Sequence, residues 1–170
     1  MSRRNVALAA AAAAIVALAL ARLLAPDDRT DEDRIRALIE GGARAAEEKR
    51  IGDAVAGLSE RFRGEGLDKA GVKQLVAFHV LRGDAVSISI AGSRLRVEGS
   101  RARAAVDAIL VRGSGKGKAL ASLLPDEAGA HRFDLALERE KDGWRIVAAE
   151  WRRIDLGEAL AGPPEPALPR

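Results

Sequence analysis

His79 is the side chain best suited to moving a proton near neutral pH. It stands seven residues after Val72 and four after Leu75, on an apolar face of a helical stretch. There an imidazole bordering a cleft would act as a general base. The same position suits a core histidine whose ring nitrogens bond to backbone or carboxylate, and no partner motif accompanies it. Asp107 is the second candidate. Its strand face carries Ala105, Ile109 and Val111, with Arg101 and Arg103 toward the strand's start. A buried carboxylate with a raised pKa is a catalytic acid or base; one paired with an arginine at the sheet edge is structural. Asp134 and Glu150 form a third set if Lys141-Asp142-Gly143 is a three-residue hairpin loop. That register pairs Glu140 with Trp144 and puts Phe133, Leu135 and Leu137 beside Val147, Ala149 and Trp151. It sets Asp134 opposite Glu150, where two carboxylates could share a proton or join Arg132 and Arg152 in a salt-bridge patch. Trp144, Ile146 and Glu150 then lie on the outer face, as an exposed partner surface.

Other chemistries lack their parts. With no cysteine in 170 residues there are no disulfides, thiolate metal sites, Cys nucleophiles or lipid-anchor cysteine. Two histidines leave little for a transition metal, so no metal site and no cofactor is expected. Arg112-Gly113-Ser114-Gly115-Lys116-Gly117-Lys118 is not a phosphate loop, because Leu110 and Arg112 stand where the first glycine of that pattern belongs. It reads as a flexible loop, and Ala119 to Leu124 after it suggests a lid over a cavity mouth or a contact for a membrane or partner.

The pI of 9.7 would suggest a nucleic-acid binder. The excess charge of +3 is confined to Arg3, Arg4 and Arg22, however, and residues after 25 carry 25 bases against 25 acids. No nucleic-acid partner is expected. Val6 to Ala21 is a run of 16 residues without a polar group, and Leu23, Leu24 and Ala25 extend it past Arg22. This length lies between a signal h-region and a membrane span. Ala19-Leu20-Ala21 offers a cleavage site, whereas an uncleaved helix would run to Pro26; the continued apolar run favours the anchor. Arg3 and Arg4 ahead of the run and acids after it put the N-terminus in the cytoplasm and the domain in the periplasm. The alternative is a secreted or periplasmic domain after cleavage near Ala21. Ser2-Arg3-Arg4-Asn5-Val6 is only a partial match to a twin-arginine signal.

Behind a leader of residues 1–25 and a linker of 26–30, the periodicity predicts elements that could hold these groups. Residues 31–49 alternate at helical spacing after a Thr30 or Asp31 cap, and Ile51 to Leu58 form a second short helix. Ser59 to Arg63 is a break, and Asp68 caps a third helix to about Arg82, apolar nearly all round and hence buried. From Asp84 the period becomes two. Strands are expected at 86–90, 94–98, 101–112, 131–141 and 144–154, with turns at Ala91-Gly92-Ser93 and Gly99-Ser100. Helices followed by a meander indicate an α+β domain with helices on one face of an antiparallel sheet. Residues 156–170 are a short helix and a proline-rich, flexible tail.

Two short helices, Phe62-Arg63-Gly64, a third helix and a bent sheet ending in Asp142-Gly143-Trp144-Arg145-Ile146-Val147 resemble the nuclear transport factor 2-like superfamily, which includes ketosteroid-isomerase-like proteins. The resemblance covers residues 31–155 and points to a bacterial, membrane-anchored or exported member. It implies a cone whose curved sheet and helices enclose an apolar pocket, with Phe78, His79, Asp107, Phe133, Leu135 and Trp151 as candidate lining. Isomerases and dehydratases of that superfamily rely on tyrosines, and this chain has none. Epoxide hydrolases there need an Asp-Arg-Asp set that no spacing singles out. The expected role is therefore a non-catalytic ligand-binding or assembly module of the cell envelope. Its partners would be the inner membrane through residues 6–25, an apolar small molecule, and a second copy or envelope protein on the sheet. The alternative is a small cofactor-independent isomerase, dehydratase or hydrolase with His79 and Asp107 as acid–base groups.

Overall fold

The computed structural model describes residues 29–81, 86–112 and 128–167. The leader, the glycine-lysine loop and the Ala119–Leu124 stretch lie outside them. Helix α1 (Asp31–Glu47) begins at a reciprocal cap: Asp33 N donates to Thr30 Oγ1 at 3.1 Å, and Thr30 N to Asp33 Oδ2 at 3.0 Å. Asp31, Glu32 and Asp33 in its first turn suit the positive end of the helix dipole. Helix α2 (Ile51–Ala54) is one turn. Strand β1 (Leu58–Arg63), helix α3 (Lys69–Leu81), strands β2 (Val86–Glu98), β3 (Arg101–Arg112), β4 (Ala128–Glu140) and β5 (Gly143–Ile154), and helix α4 (Leu156–Ala161) follow.

The sheet runs β1-β5-β4-β3-β2. β2 to β5 form an antiparallel meander, and β1 lies parallel beside β5. The segment read as a break, Ser59 to Arg63, is therefore an edge strand. It is held to the hairpin end by Ser59 Oγ donating to Glu140 Oε1 at 2.7 Å. Its Phe62 is 1% exposed and belongs to the core.

α1 lies across the inner face of the sheet and is tied to it at both ends. Trp144 Nε1 donates to Asp31 Oδ1 at 3.1 Å near the helix start, where Arg139 also pairs with Asp31. Glu47 Oε1 accepts from Ile88 N at 2.6 Å and Ser87 Oγ at 3.1 Å near the helix end. Between them, Arg36 Nη1 donates to Ser93 Oγ at 3.0 Å, and Ile35 is fully buried. The core beneath α1 combines Ile35 and Phe62 with Ala102, Ala104, Val106, Leu135, Leu137, Trp144 and Ala149.

Three strand pairings carry a register shift, β1 with β5, β2 with β3 and β4 with β5, and the last two differ from the expected turns. β2 is one continuous strand through Ala91-Gly92-Ser93, with an irregularity between Ile90 and Gly92. The apolar phase changes there, from Ile88 and Ile90 at even numbers to Leu95 and Val97 at odd ones. A bulge keeps both sets on one face, so a change of phase need not mean a change of direction. The β4–β5 hairpin behaves the same way. Its loop is the two residues Lys141 and Asp142, with Glu140 opposite Gly143, whose φ is +112°. A shift between Ala136 and Leu137 then restores the expected pairing of Leu135 with Ala149 and Phe133 with Trp151. Below the shift, Trp144 and Ile146 turn to the inner face. Trp144 is 3% exposed, so it is core and not partner surface.

Asp68 caps α3, accepting from Gly71 N at 2.7 Å. That helix is not buried, however. It packs on β1 at the sheet's edge, and Leu75 and Phe78 are 44% and 53% exposed. The tail past α4 is tethered at its start, because Pro163 is buried and its carbonyl accepts from Arg94 Nε at 3.0 Å.

Candidate functional site

An apolar cavity of about 240 Å³ lies between α1, α2 and the inner face of the sheet. Leu38, Ile39, Gly42, Ala43 and Ala54 form its helical wall. Ile88, Ile90, Val106, Ala108, Phe133, Leu135 and Ile146 form its sheet wall, with Gly57 and Leu58 at the side. None of these residues has a polar side-chain atom. The space exists because the residues facing each other are small. A Cβ on Gly42 would lie 3.5 Å from the Ala54 carbonyl oxygen, and one on Gly57 only 3.0 Å from Leu38 Cδ2. Larger residues at those two places would push the helices apart or fill the void.

The candidate residues divide between the two faces. Phe133 and Leu135 line the cavity, as does Ile146, which was expected on a partner surface. Trp151 backs Phe133 with ring centroids 6.4 Å apart. Phe78 is on exposed α3, away from the lining, and the side chain of His79 lies outside the described residues. Glu150 is exposed and opposite Asp134 on the outer face.

Asp107 does not belong to the cavity at all. Ala104, Val106 and Ala108 point inward from β3, so Asp107 points outward, and it is completely buried there. Arg132, its partner across the ladder, grips it twice, Nε to Oδ1 at 2.7 Å and Nη2 to Oδ2 at 2.8 Å. Arg132 Nη1 donates to Glu158 Oε1 at 2.9 Å, and Arg152 Nη2 donates to the same oxygen at 2.6 Å. Arg132 Nη2 also reaches the Gly162 carbonyl at 3.3 Å. The alternative of His79 and Asp107 as acid–base groups in one pocket therefore loses Asp107, which anchors α4 on the opposite face. The structural reading of Asp107, a carboxylate paired with an arginine, leaves the arginine open in sequence, and the ladder supplies it from β4.

Among the described side chains, the group nearest the cavity that can titrate near neutral pH is His131. Its ladder partner Ala108 and its neighbour two residues on, Phe133, both belong to the cavity wall. The His131 and Phe133 rings have centroids 6.4 Å apart. His131 Nδ1 is buried with no hydrogen-bond partner. Burial, then the positive charge of Arg153 directly across the ladder, holds the imidazole below its usual value. Alternation along β4 with Phe133 and Leu135 was the signal that would have placed His131 on this face. Among the described residues no cluster of three or more His, Cys, Asp or Glu could hold a metal ion, and no helix is long and apolar enough to cross a membrane.

No protein-family model matches the sequence, and no curated protein matches it. Solved structures do match the fold. An NTF2-like protein with a cystatin-like fold from Novosphingobium aromaticivorans superposes with a TM-score of 0.58 at 19% identity, covering 85% of this chain and 92% of that one. An NTF2-like protein of unknown function from Pseudomonas putida gives 0.55 at 18% identity, covering 71% and 84%. Bdellovibrio bacteriovorus Bd1075 gives 0.58 at 9% identity over 72% of this chain, which spans only 40% of that protein. The chain has the NTF2-like, cystatin-like α+β fold. These identities carry the fold alone.

Proposed function

We propose that this NTF2-like domain is a non-catalytic module of the bacterial envelope that binds an apolar small molecule in its inner cavity. The observation that carries the reading is the cavity itself, about 240 Å³ and walled without a polar side chain. An engineered apolar cavity of about 150 Å³ takes one benzene, so this one has room for a ring with a short chain. A wall without acids, bases or nucleophiles suits retention better than reaction. The envelope assignment rests on the leader, with Arg3 and Arg4 before the apolar run of residues 6–25 and acids after it. In this reading the leader stays as a single-pass anchor, with the N-terminus cytoplasmic and the domain periplasmic.

Organic extracts of the purified full chain and of an Ala108→Ile variant, compared by mass spectrometry, test the binding. An apolar compound recovered with the native chain and depleted at least tenfold with the variant supports it; no compound, or equal recovery, overturns it. Mass spectrometry of the mature N-terminus tests the topology, since a chain that begins at Arg22 has lost its anchor. An assembly role is favoured by a different observation, the exposed Leu75 and Phe78 of α3 and Leu160 of α4, the last 71% exposed.

A further inference from the structure

The wall of the cavity is apolar throughout, but one point on its margin is not. His131 is bracketed by two wall residues, Ala108 across the ladder and Phe133 along the strand. Arg153 is its cross-strand partner on β5, two residues beyond Trp151, whose ring backs Phe133. Ladder partners share a face, so Arg153 is on the inner face with His131. Arg153 is exposed and makes no hydrogen bond or ion pair with any described residue.

The tautomer of His131 follows from its surroundings. Nδ1 is buried and has no partner, so a proton placed there would be an unsatisfied buried donor. The neutral ring therefore carries its proton on Nε2. The site margin then holds two donors side by side, an imidazole N–H and a guanidinium, with no acceptor supplied by any described residue. Two such donors call for an acceptor on the ligand, and a guanidinium best matches a carboxylate.

We infer that the molecule held in the cavity is a small carboxylic acid, its apolar body between α1 and the sheet and its carboxylate against Arg153 and His131. The inference rests on the binding role proposed for the cavity and adds the chemistry of the head group. The volume limits the body to about one aromatic ring with a short side chain, or an acyl chain of about eight carbons. A charged acceptor bound by Arg153 also offsets the charge that now disfavours protonated His131, so binding takes up a fraction of a proton at a pH just above the imidazole's pKa. Besides Arg153, no titratable group faces the ring from the opposing strand, where Ala108 is its partner.

The test uses the full chain and two probes with one body, 3-phenylpropanoate and 3-phenylpropan-1-ol, titrated by calorimetry at neutral pH. The acid is expected to bind at least tenfold more tightly than the alcohol. Arg153→Gln should reduce that preference to less than threefold, with the loss falling chiefly on the acid. His131→Phe should cost the acid about threefold more than the alcohol. Equal affinities for acid and alcohol, or a preference that survives Arg153→Gln, overturn the carboxylate and leave the cavity role standing. If neither probe binds, the cavity role and the carboxylate fall together.

Discussion

The two faces of the sheet are covered by helices in opposite ways. On the inner face α1 rests on aliphatic and aromatic side chains, is tied by polar contacts at its two ends and through Arg36 to Ser93, and leaves a void beneath it. On the outer face α4 is only six residues long, contributes Ala159 to a small apolar cluster with Ile109, Ala130 and Ile154, and is held by the Asp107–Arg132–Glu158–Arg152 network. A long helix with a wide apolar stripe can bridge an imperfectly filled interior. A six-residue helix has too little area for that and depends on directed bonds. The buried charge that looked catalytic in sequence is on the face that needs fastening, and the binding space is on the face that can spare volume.

Substitutions that treat the faces alike would break this contrast. Asp107→Ala leaves Arg132, 5% exposed, as a buried charge without its bidentate partner. It should cost about 3–5 kcal/mol in denaturant unfolding. Asp107→Leu with Arg132→Met should recover more than half of that, since the pair is replaced and not orphaned. A loss below about 1 kcal/mol for Asp107→Ala would mean that the network holds nothing. The sharpest contrast lies on β3 itself. Ala105, fully buried on the outer face, and Ala108, 5% exposed beside the cavity, differ in what surrounds them. Ala105→Ile should destabilise by about 1–3 kcal/mol through overpacking, whereas Ala108→Ile should change stability by less than about 1 kcal/mol because the void accepts the added methyls. Equal costs would mean that the cavity is closed in solution. At the margin of α1, Trp144→Phe removes the bond to Asp31 and should cost about 1 kcal/mol. Thr30→Ala should cost a similar amount through loss of the cap.

The smallest effect is one of pH. The folded imidazole of His131 lies below its ordinary value of 6.5, so the unfolded chain binds a proton more readily. Stability contributed by the neutral ring is then complete above pH 6.5 and lost as pH falls from there through the folded pKa. Asp31, Asp33 and Glu140 are also held low. The indole of Trp144, the hydroxyl of Thr30 and the hydroxyl of Ser59 are the respective leading causes. Their contributions are present above the ordinary carboxylate values of 3.8 to 4.5 and are lost below them. The two windows are separate. Melting temperature recorded from pH 8 to pH 5 should decline below 6.5 in the native chain, and His131→Phe should flatten that decline.

The helix starts, the change from helical to strand period near residue 84, and the antiparallel meander from β3 to β5 were legible because capping residues and hydrophobic period act locally. What was hidden had to come from register. The period-two pattern changes phase at Ala91 and again at Val147. Phase alone does not distinguish a turn from a bulge, and at the hairpin that ambiguity reversed the placement of Trp144 and Ile146. β1 carries only Leu58 and Phe62 as large apolar residues, since an edge strand under one helix buries little. Asp107 was legible as a buried carboxylate, but its arginine came from the neighbouring strand, 25 residues away. His131 was passed over because a histidine next to Arg132 in a charged stretch looks solvent-facing until the face of β4 is known.

The contact between Glu47 and Ile88 has a consequence for the company the molecule keeps. β2 is the last strand of its sheet and thirteen residues long, a row of backbone donors and acceptors on which a stray strand of another chain could polymerise. Glu47 occupies one of those amides with a charged acceptor, and the Arg36–Ser93 contact holds the body of α1 alongside. The helix that roofs the cavity thus also guards the seam along which the protein would otherwise aggregate.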